Sequence, residues 1–184
     1  MARSNEALRR PALEGRAASH AWVSVTPAAP ASRLSLRTPA DSVGAVSKAL
    51  GFALPQKPKT SAQKNGRAAL WLGPDEWLVI DESGSEISPA LGKVKAFHSA
   101  VDVSHRNVGI VVSGPGAEAT IAAGCPQDIL LATFPVGACS RTVLGKIEIV
   151  LWRTGDTTFR VECWRSFSDY AFTFLSEAAR DAAV

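Results

Sequence analysis

Two tight turns constrain this chain more than any other feature. Gly73-Pro74-Asp75 separates the strand-forming runs 67–72 and 76–80, and Thr154-Gly155-Asp156 separates 146–152 from 158–164. A connection this short joins antiparallel neighbours, because a parallel crossover needs roughly a dozen residues or more. In the last run Phe159, Val161 and Cys163 alternate with Arg160 and Glu162, the period of a half-buried strand. The chain is therefore expected to be built around antiparallel hairpins.

The other segments divide about these hairpins into two similar sets. In the first, Leu34 and Leu36 mark a strand over 33–37, and Thr38-Pro39-Ala40-Asp41 begins a helix carrying Val43, Val46 and Leu50 on one face. Residues 54–66, with Pro55, Pro58 and Asn65-Gly66, read as a solvated loop. Leu91, Val94 and Phe97 predict a helix over 88–97, and 100–103 a short strand. In the second set, 107–112 reads as a strand and 117–123 as a helix closed by Gly124 and Pro126. Strands over 140–144 and 146–152 then lead into the second hairpin, and an amphipathic helix over 168–179 closes the chain. The expected class is α+β, with two ferredoxin-like βαββαβ-type halves at about 32–104 and 105–184, mainly antiparallel sheets, and helices on one face of each. Residues 1–20 lack apolar periodicity, and Pro27 and Pro30 hold 21–31 extended with Trp22 as an anchor. Residues 1–31 are thus expected to form a flexible or partner-wrapping arm.

Composition narrows the functional classes. Hydrophobic residues make up 46 % of the 184, enough for a sizeable core, and the net charge of +3 is spread without a basic block, which argues against nucleic acid as a partner. Cys125, Cys139 and Cys163 form no CxxC pair, and no His stands at ligand spacing from another His or Cys, so neither a disulfide framework nor a metal site is expected. No run of apolar residues is long enough to span a membrane, and a reducing, cytoplasmic compartment fits best.

Few residues offer chemistry. Asp102, Ser104 and His105 are too close along one strand end to converge as a catalytic triad; Asp102 or Ser104 is expected to satisfy backbone groups between the halves, with His105 and Arg106 pointing outward. Ser113-Gly114-Pro115-Gly116 lacks the spacing of a phosphate loop, and Pro115 removes a donor that such a loop would use. The tryptophans are more informative. Trp71 and Trp77 flank the first turn, and Arg153 and Arg165 directly follow Trp152 and Trp164. Trp and Arg dominate the energetic centres of interfaces, so at least one of these pairs is expected to face another protein. The candidate interface residues are Trp71, Trp77, His105, Arg106, Arg141, Trp152, Arg153, Arg165 and Phe167; no catalytic, cofactor or metal residue is expected.

Taken together, the stretches Leu70-Trp71-Leu72-Gly73-Pro74-Asp75-Glu76-Trp77, Asp102-Val103-Ser104-His105-Arg106, Cys125-Pro126-Gln127-Asp128, Arg141-Thr142, Leu151-Trp152-Arg153 and Arg165-Ser166-Phe167-Ser168-Asp169-Tyr170 resemble the gamma subunit family of heterotetrameric sarcosine oxidase. The resemblance runs from about Ser32 to the C-terminus. It implies a non-catalytic structural or assembly subunit beside alpha, beta and delta subunits. The complex demethylates sarcosine oxidatively to glycine, with formaldehyde or methylenetetrahydrofolate and hydrogen peroxide. FAD, FMN, NAD, zinc and tetrahydrofolate are then expected in the partner subunits and none in this chain. The equivalent subunit of a related N-methyl amino acid demethylase is the alternative within that class. More distantly, Asp102 to His105 with Val111-Val112-Ser113-Gly114-Pro115-Gly116-Ala117 is similar to the folate-binding aminomethyltransferases, which implies their fold and leaves a folate-dependent transferase as the competing function. In that family a Gly-Gly-Ile-x-Asp-Asp stretch lines the folate pocket; its counterpart here is Gly145-Lys146-Ile147-Glu148-Ile149-Val150. Ile149 and Val150 replace both acids and can neither exchange protons nor accept hydrogen bonds. Glu148, one residue off Ile149, is expected on the opposite face of the strand.

Overall fold

The computed structural model describes residues 11–83 and 87–182. Its first half runs β3 (Ser32–Arg37), α1 (Val43–Leu50), β4 (Ser61–Lys64), β5 (Arg67–Gly73), β6 (Glu76–Asp81), α2 (Ser88–Leu91) and β7 (Ser99–Asp102). These strands form one sheet in the order β4-β5-β6-β3-β7, every neighbour antiparallel. Without the added edge strand β4, the order and the placement of α1 and α2 are those of a ferredoxin-like βαββαβ unit.

The second half runs β8 (Asn107–Ser113), α3 (Ala117–Ala122), β9 (Cys139–Leu144), β10 (Ile147–Gly155), β11 (Thr158–Trp164) and α4 (Ser168–Asp181). Among the described residues no strand follows α4, which leaves this half one strand short of the same unit. The missing position, beside β8, is filled from the N-terminus by β2 (Ser24–Pro27), with β1 (Ala18–Ser19) outside it. The order β9-β10-β11-β8-β2-β1 thus repeats the first sheet, with the last strand supplied from the other end of the chain.

This corrects the arm expected over 1–31. Val23 and Val25 are buried in the second half's core, Leu13 beside them is 1 % exposed, and the Arg16 guanidinium lies 4.7 Å from the Phe172 ring centroid. Extended chain with alternate apolar side chains is what an open sheet edge accepts, so residues 11–31 fold with their own chain. Residues 1–10 lie outside the described residues.

Two more expectations change. The loop over 54–66 contains β4, because Asn65 (φ 52°) and Gly66 (φ 78°) take the left-handed conformation of a two-residue hairpin turn. The helix over 88–97 stops at Leu91; Leu91 is in the core and Val94 packs half-buried against it, but Phe97 is 81 % exposed, so the spacing does not continue as one buried face.

Period-two alternation then stacks four layers. One face of the first sheet packs Leu34, Leu36, Trp77 and Val79 against α1 and α2. One face of the second packs Val112, Leu151, Phe159 and Val161 against α3 and α4. The remaining faces meet, with Leu70, Leu78, Ile80, Cys139, Val150 and Trp152 between the sheets. The layers run helix, sheet, sheet, helix.

Candidate subunit interface

The inner faces meet tightly at one end. Trp152 donates from Nε1 to Ser61 Oγ at 3.0 Å, Ser61 Oγ donates to the Gly137 carbonyl at 2.6 Å, and Cys139 Sγ donates to the Thr60 carbonyl at 3.2 Å. Burial pushes both the Cys139 and Cys163 thiols up to about 12.

Behind this seam, charge replaces grease. Arg33 on β3 reaches across to Glu162 on β11 with two hydrogen bonds, Nε to Oε2 at 2.6 Å and Nη2 to Oε1 at 3.1 Å, and gives Nη1 to the Ala31 carbonyl. Arg160 gives Nε to the same Glu162 at 2.7 Å and Nη1 to Glu82 of the first half. Burial works against the Arg160 charge, yet Glu162 and Glu82 more than offset it and raise its pKa. A carboxylate shared by two guanidiniums needs close backbone, and Gly109 provides it: a Cβ there would stand 2.7 Å from Glu162 Oε1. The sequence hid this chain of charges, because the polar side of an alternating strand reads as solvated unless a second sheet is known to cover it.

Toward the other end the sheets part. Arg141 on β9 pairs with Glu76 on β6 across the gap and lies 4.0 Å from Glu148. The last inward row of the second sheet, Val143, Glu148 and Trp164, extends past the first sheet's cover. Between the sheets a cavity of about 60 Å³ is bordered by Ile149, Val150, Glu162 and Trp164. Glu148 falls opposite to Ile149, as alternation requires, but on the same inward face as Val150, nearer the open end. A wider groove of about 740 Å³ runs outside along residues 11–13 and 27–31. Arg165 and His105 also line it; Arg33 is bound to Glu162, and Asp102 accepts the Ser104 amide at 2.8 Å. Hydrogen bonding from Ser104 keeps the Asp102 carboxyl below its ordinary range. Ser104 Oγ in turn accepts the Arg33 amide at 2.9 Å, so Asp102 and Ser104 fasten backbone where the chain passes between halves.

The nine candidate interface residues divide by burial. Trp77 is 1 % exposed and donates to the Pro55 carbonyl; Trp152 lies between the sheets. Arg153 is fully enclosed: it reaches Asp156 and Ile129 carbonyls and Glu118, with its guanidinium 4.3 Å from the Phe159 ring centroid. These three are committed within the chain and present nothing to a partner, which corrects the expectation for them; Trp71 is half-buried. Arg141 is exposed but engaged with Glu76. His105, Arg106, Arg165 and Phe167 are exposed, and the fold brings Arg106, Arg165 and Phe167 together at the open end of the cleft. The Arg165 amide donates to the Arg106 carbonyl at 2.7 Å, the Arg106 guanidinium lies 5.3 Å from the Trp164 ring centroid, and Trp164 and Phe167 stack at 6.2 Å.

Against known proteins, residues 37–181 match the model of the sarcosine oxidase gamma subunit family. The chain belongs to that family. Sarcosine oxidase subunit gamma of Corynebacterium sp. (strain P-1) is 33 % identical over 144 residues, covering 76 % of this chain and 70 % of the relative. The Arthrobacter sp. protein of the same name matches with the same identity and coverage. A chain of the heterotetrameric sarcosine oxidase from Corynebacterium sp. U-96, solved in complex with pyrrole 2-carboxylate, superposes with a TM-score of 0.85 at 28 % identity, over 94 % of this gamma-family chain and 92 % of that one. Glycine cleavage system aminomethyltransferase T from Bartonella henselae superposes at TM-score 0.60 and 14 % identity, over 88 % of this chain and 50 % of that one, a likeness of fold alone.

Proposed function

We propose that this chain is a structural and assembly subunit, without catalytic residues of its own, of a heterotetrameric sarcosine oxidase. The observation that carries the reading is the near full-length likeness to a chain of that enzyme, within an established gamma family. The parent complex oxidises the N-methyl group of sarcosine, yielding glycine, formaldehyde or methylenetetrahydrofolate, and hydrogen peroxide. Its FAD, FMN, NAD, zinc and tetrahydrofolate belong to the alpha, beta and delta subunits, and this chain contributes surface and spacing.

The cleft supports the assignment over a transferase role. Small-molecule sites occupy roughly 300–1,000 Å³. The cavity bordered by Ile149 and Val150, at about 60 Å³, is room for a few waters and is smaller than a pterin. Glu148, the nearby acid, lies within 4.0 Å of Arg141. Its side chain is 59 % exposed, with no dry pocket in which to hold or move a proton.

Co-expression with the alpha-, beta- and delta-type subunits of the same complex tests the role. The chain is expected to co-elute with them in fixed stoichiometry. A chain that stays a lone monomer in their presence, or that binds tetrahydrofolate at micromolar concentration and turns over an aminomethyl donor, overturns it.

A further inference from the structure

We infer that the open end of the inter-sheet cleft, centred on Arg106, Trp164 and Phe167, is the seat of an acidic, apolar-flanked loop from another protein subunit. Four observations converge there.

The first is unused apolar area in register. Val143 and Trp164 stand on one inward face of the second sheet, 42 % and 45 % exposed, on either side of Glu148, which lies 4.0 Å from Arg141. Phe167, 41 % exposed, stacks on Trp164 and extends the surface. Across the opening Val101 on β7 is also exposed, opposite Ser35 and on the inward face of the other sheet. Both walls of the wedge thus carry apolar side chains that the chain itself leaves uncovered.

The second is preorganisation. The Arg106 guanidinium rests over the Trp164 ring while the Arg165 amide holds the Arg106 backbone carbonyl, so less side-chain freedom remains to be lost on docking.

The third is charge. Among the described residues Arg106 meets no carboxylate, in contrast to Arg33, Arg37, Arg67, Arg141, Arg153 and Arg160, each of which does. His105 is exposed beside it. A cation held on an aromatic face with no internal anion is complementary to a carboxylate from outside, and an Arg within an aromatic cluster has the composition of an interface centre.

The fourth lies at the cleft floor. Asn107 Oδ1 is buried without a donor, on the strand residue directly opposite Trp164. The fold leaves an acceptor there that an entering N–H or O–H satisfies.

The occupant is therefore a protein loop that presents one carboxylate to Arg106, apolar side chains to Trp164 and Val143, and a polar hydrogen toward Asn107. A cavity of about 60 Å³ gives it no deep pocket, so the loop seats on the mouth of the cleft and only one small donor group reaches in toward Asn107.

The proposal presupposes the subunit role above, and the experiment separates the two. The full chain is titrated against the partner subunits of its complex in three forms, wild type, Arg106→Glu and Trp164→Ala, with Phe97→Ala as an exposed aromatic control outside the cleft. Circular dichroism checks each fold. Truncation of an interface centre weakens association by roughly thirtyfold or more. Both cleft variants are expected to lose at least that much affinity, with Arg106→Glu also losing most of the salt dependence of the association rate, while Phe97→Ala matches wild type. Wild type that fails to bind any partner subunit removes the subunit role itself. Wild type that binds, with folded cleft variants binding equally well, overturns the cleft proposal alone. So does a wild-type chain that self-associates through this surface, with Trp164→Ala restoring the monomer, because a second copy is then the occupant.

Discussion

Glu162 ties the two halves together from between the sheets. It accepts from Arg33 of the first half and from Arg160 of the second, and it is 1 % exposed. Replacing one member of a buried ion network leaves an uncompensated charge and costs about 3–5 kcal/mol, whereas an exposed ion pair contributes far less. Glu162→Gln takes the carboxylate partner from the buried Arg33 and one of two from Arg160, at nearly constant volume. Its unfolding free energy, extrapolated from urea titration, is expected to fall by an amount in that range, while Asp75→Asn, at the exposed Arg37 pair, stays close to wild type. The buried thiols supply a pH dependence of known sign. Cys139 and Cys163 ionise near 9.0 when unfolded but at about 12 in the fold, so the native state holds their protons more tightly. Their contribution is present in full below pH 9 and is lost as pH climbs from 9 toward 12. Thermal unfolding measured from pH 7 to 11 is expected to hold steady and then decline above pH 9. The decline is shallower in the Cys139→Ala, Cys163→Ala double variant, which separates the thiols from tyrosine and lysine titrating in the same range.

Elements with strong local signals were legible, and those defined by distant partners were not. The run 158–164 reproduces β11 residue for residue, because alternation and a two-sided environment specify it locally. Val43, Val46 and Leu50 marked α1 for the same reason. The helix expected through Phe97 failed because spacing alone was counted: Leu91 reaches the core, but Gly92 and Lys93 interrupt the helix just after it. β4 was missed although Asn65-Gly66 announced its turn, since Pro55 and Pro58 made the whole segment look like loop. β2 is the deeper case. Ser24–Pro27 has too few residues to show a period, and its strand character comes from the vacant edge beside β8, more than eighty residues away along the chain. The candidate interface split in the same way: nothing local distinguishes Trp77 or Arg153, turned inward, from Trp164 and Arg165 at an open sheet end. That difference is set by which inward row the opposing sheet reaches.

At the scale of the whole molecule, the chain is two copies of one topology, and the second copy is circularly permuted across the termini. If β2 is truly the final strand of the second βαββαβ unit, its covalent attachment to β3 is incidental and its place after α4 is the natural one. The geometry permits that connection. A point one bond from the Gly116 Cα lies 3.6 Å from both the Ala182 carbonyl and Trp22 Cβ, so the exit of α4 and the entrance to β2 are neighbours. The opposite side of the exchange is equally open, since Ala29 and Pro30 are exposed between the last residue of β2 and the first of β3. A permutant that fuses residue 184 to residue 1 and begins at Pro30 keeps every sheet pairing while moving one connection. Loop closure changes slowly with length, by about 0.6 kcal/mol per doubling, so such a chain is expected to unfold in one transition within a few kcal/mol of wild type. Simple deletion of residues 1–29 removes the same covalent link together with β2, exposing the edge of β8 and uncovering the core that contains Ile110 and Val112. It is expected to aggregate or to lose amide protection selectively in β8 and β11. Hydrogen exchange on the two variants decides the matter: a permutant as unprotected as the deletion would mean that β2 holds its place only through the link to β3, and not as a strand that the second half retains by itself.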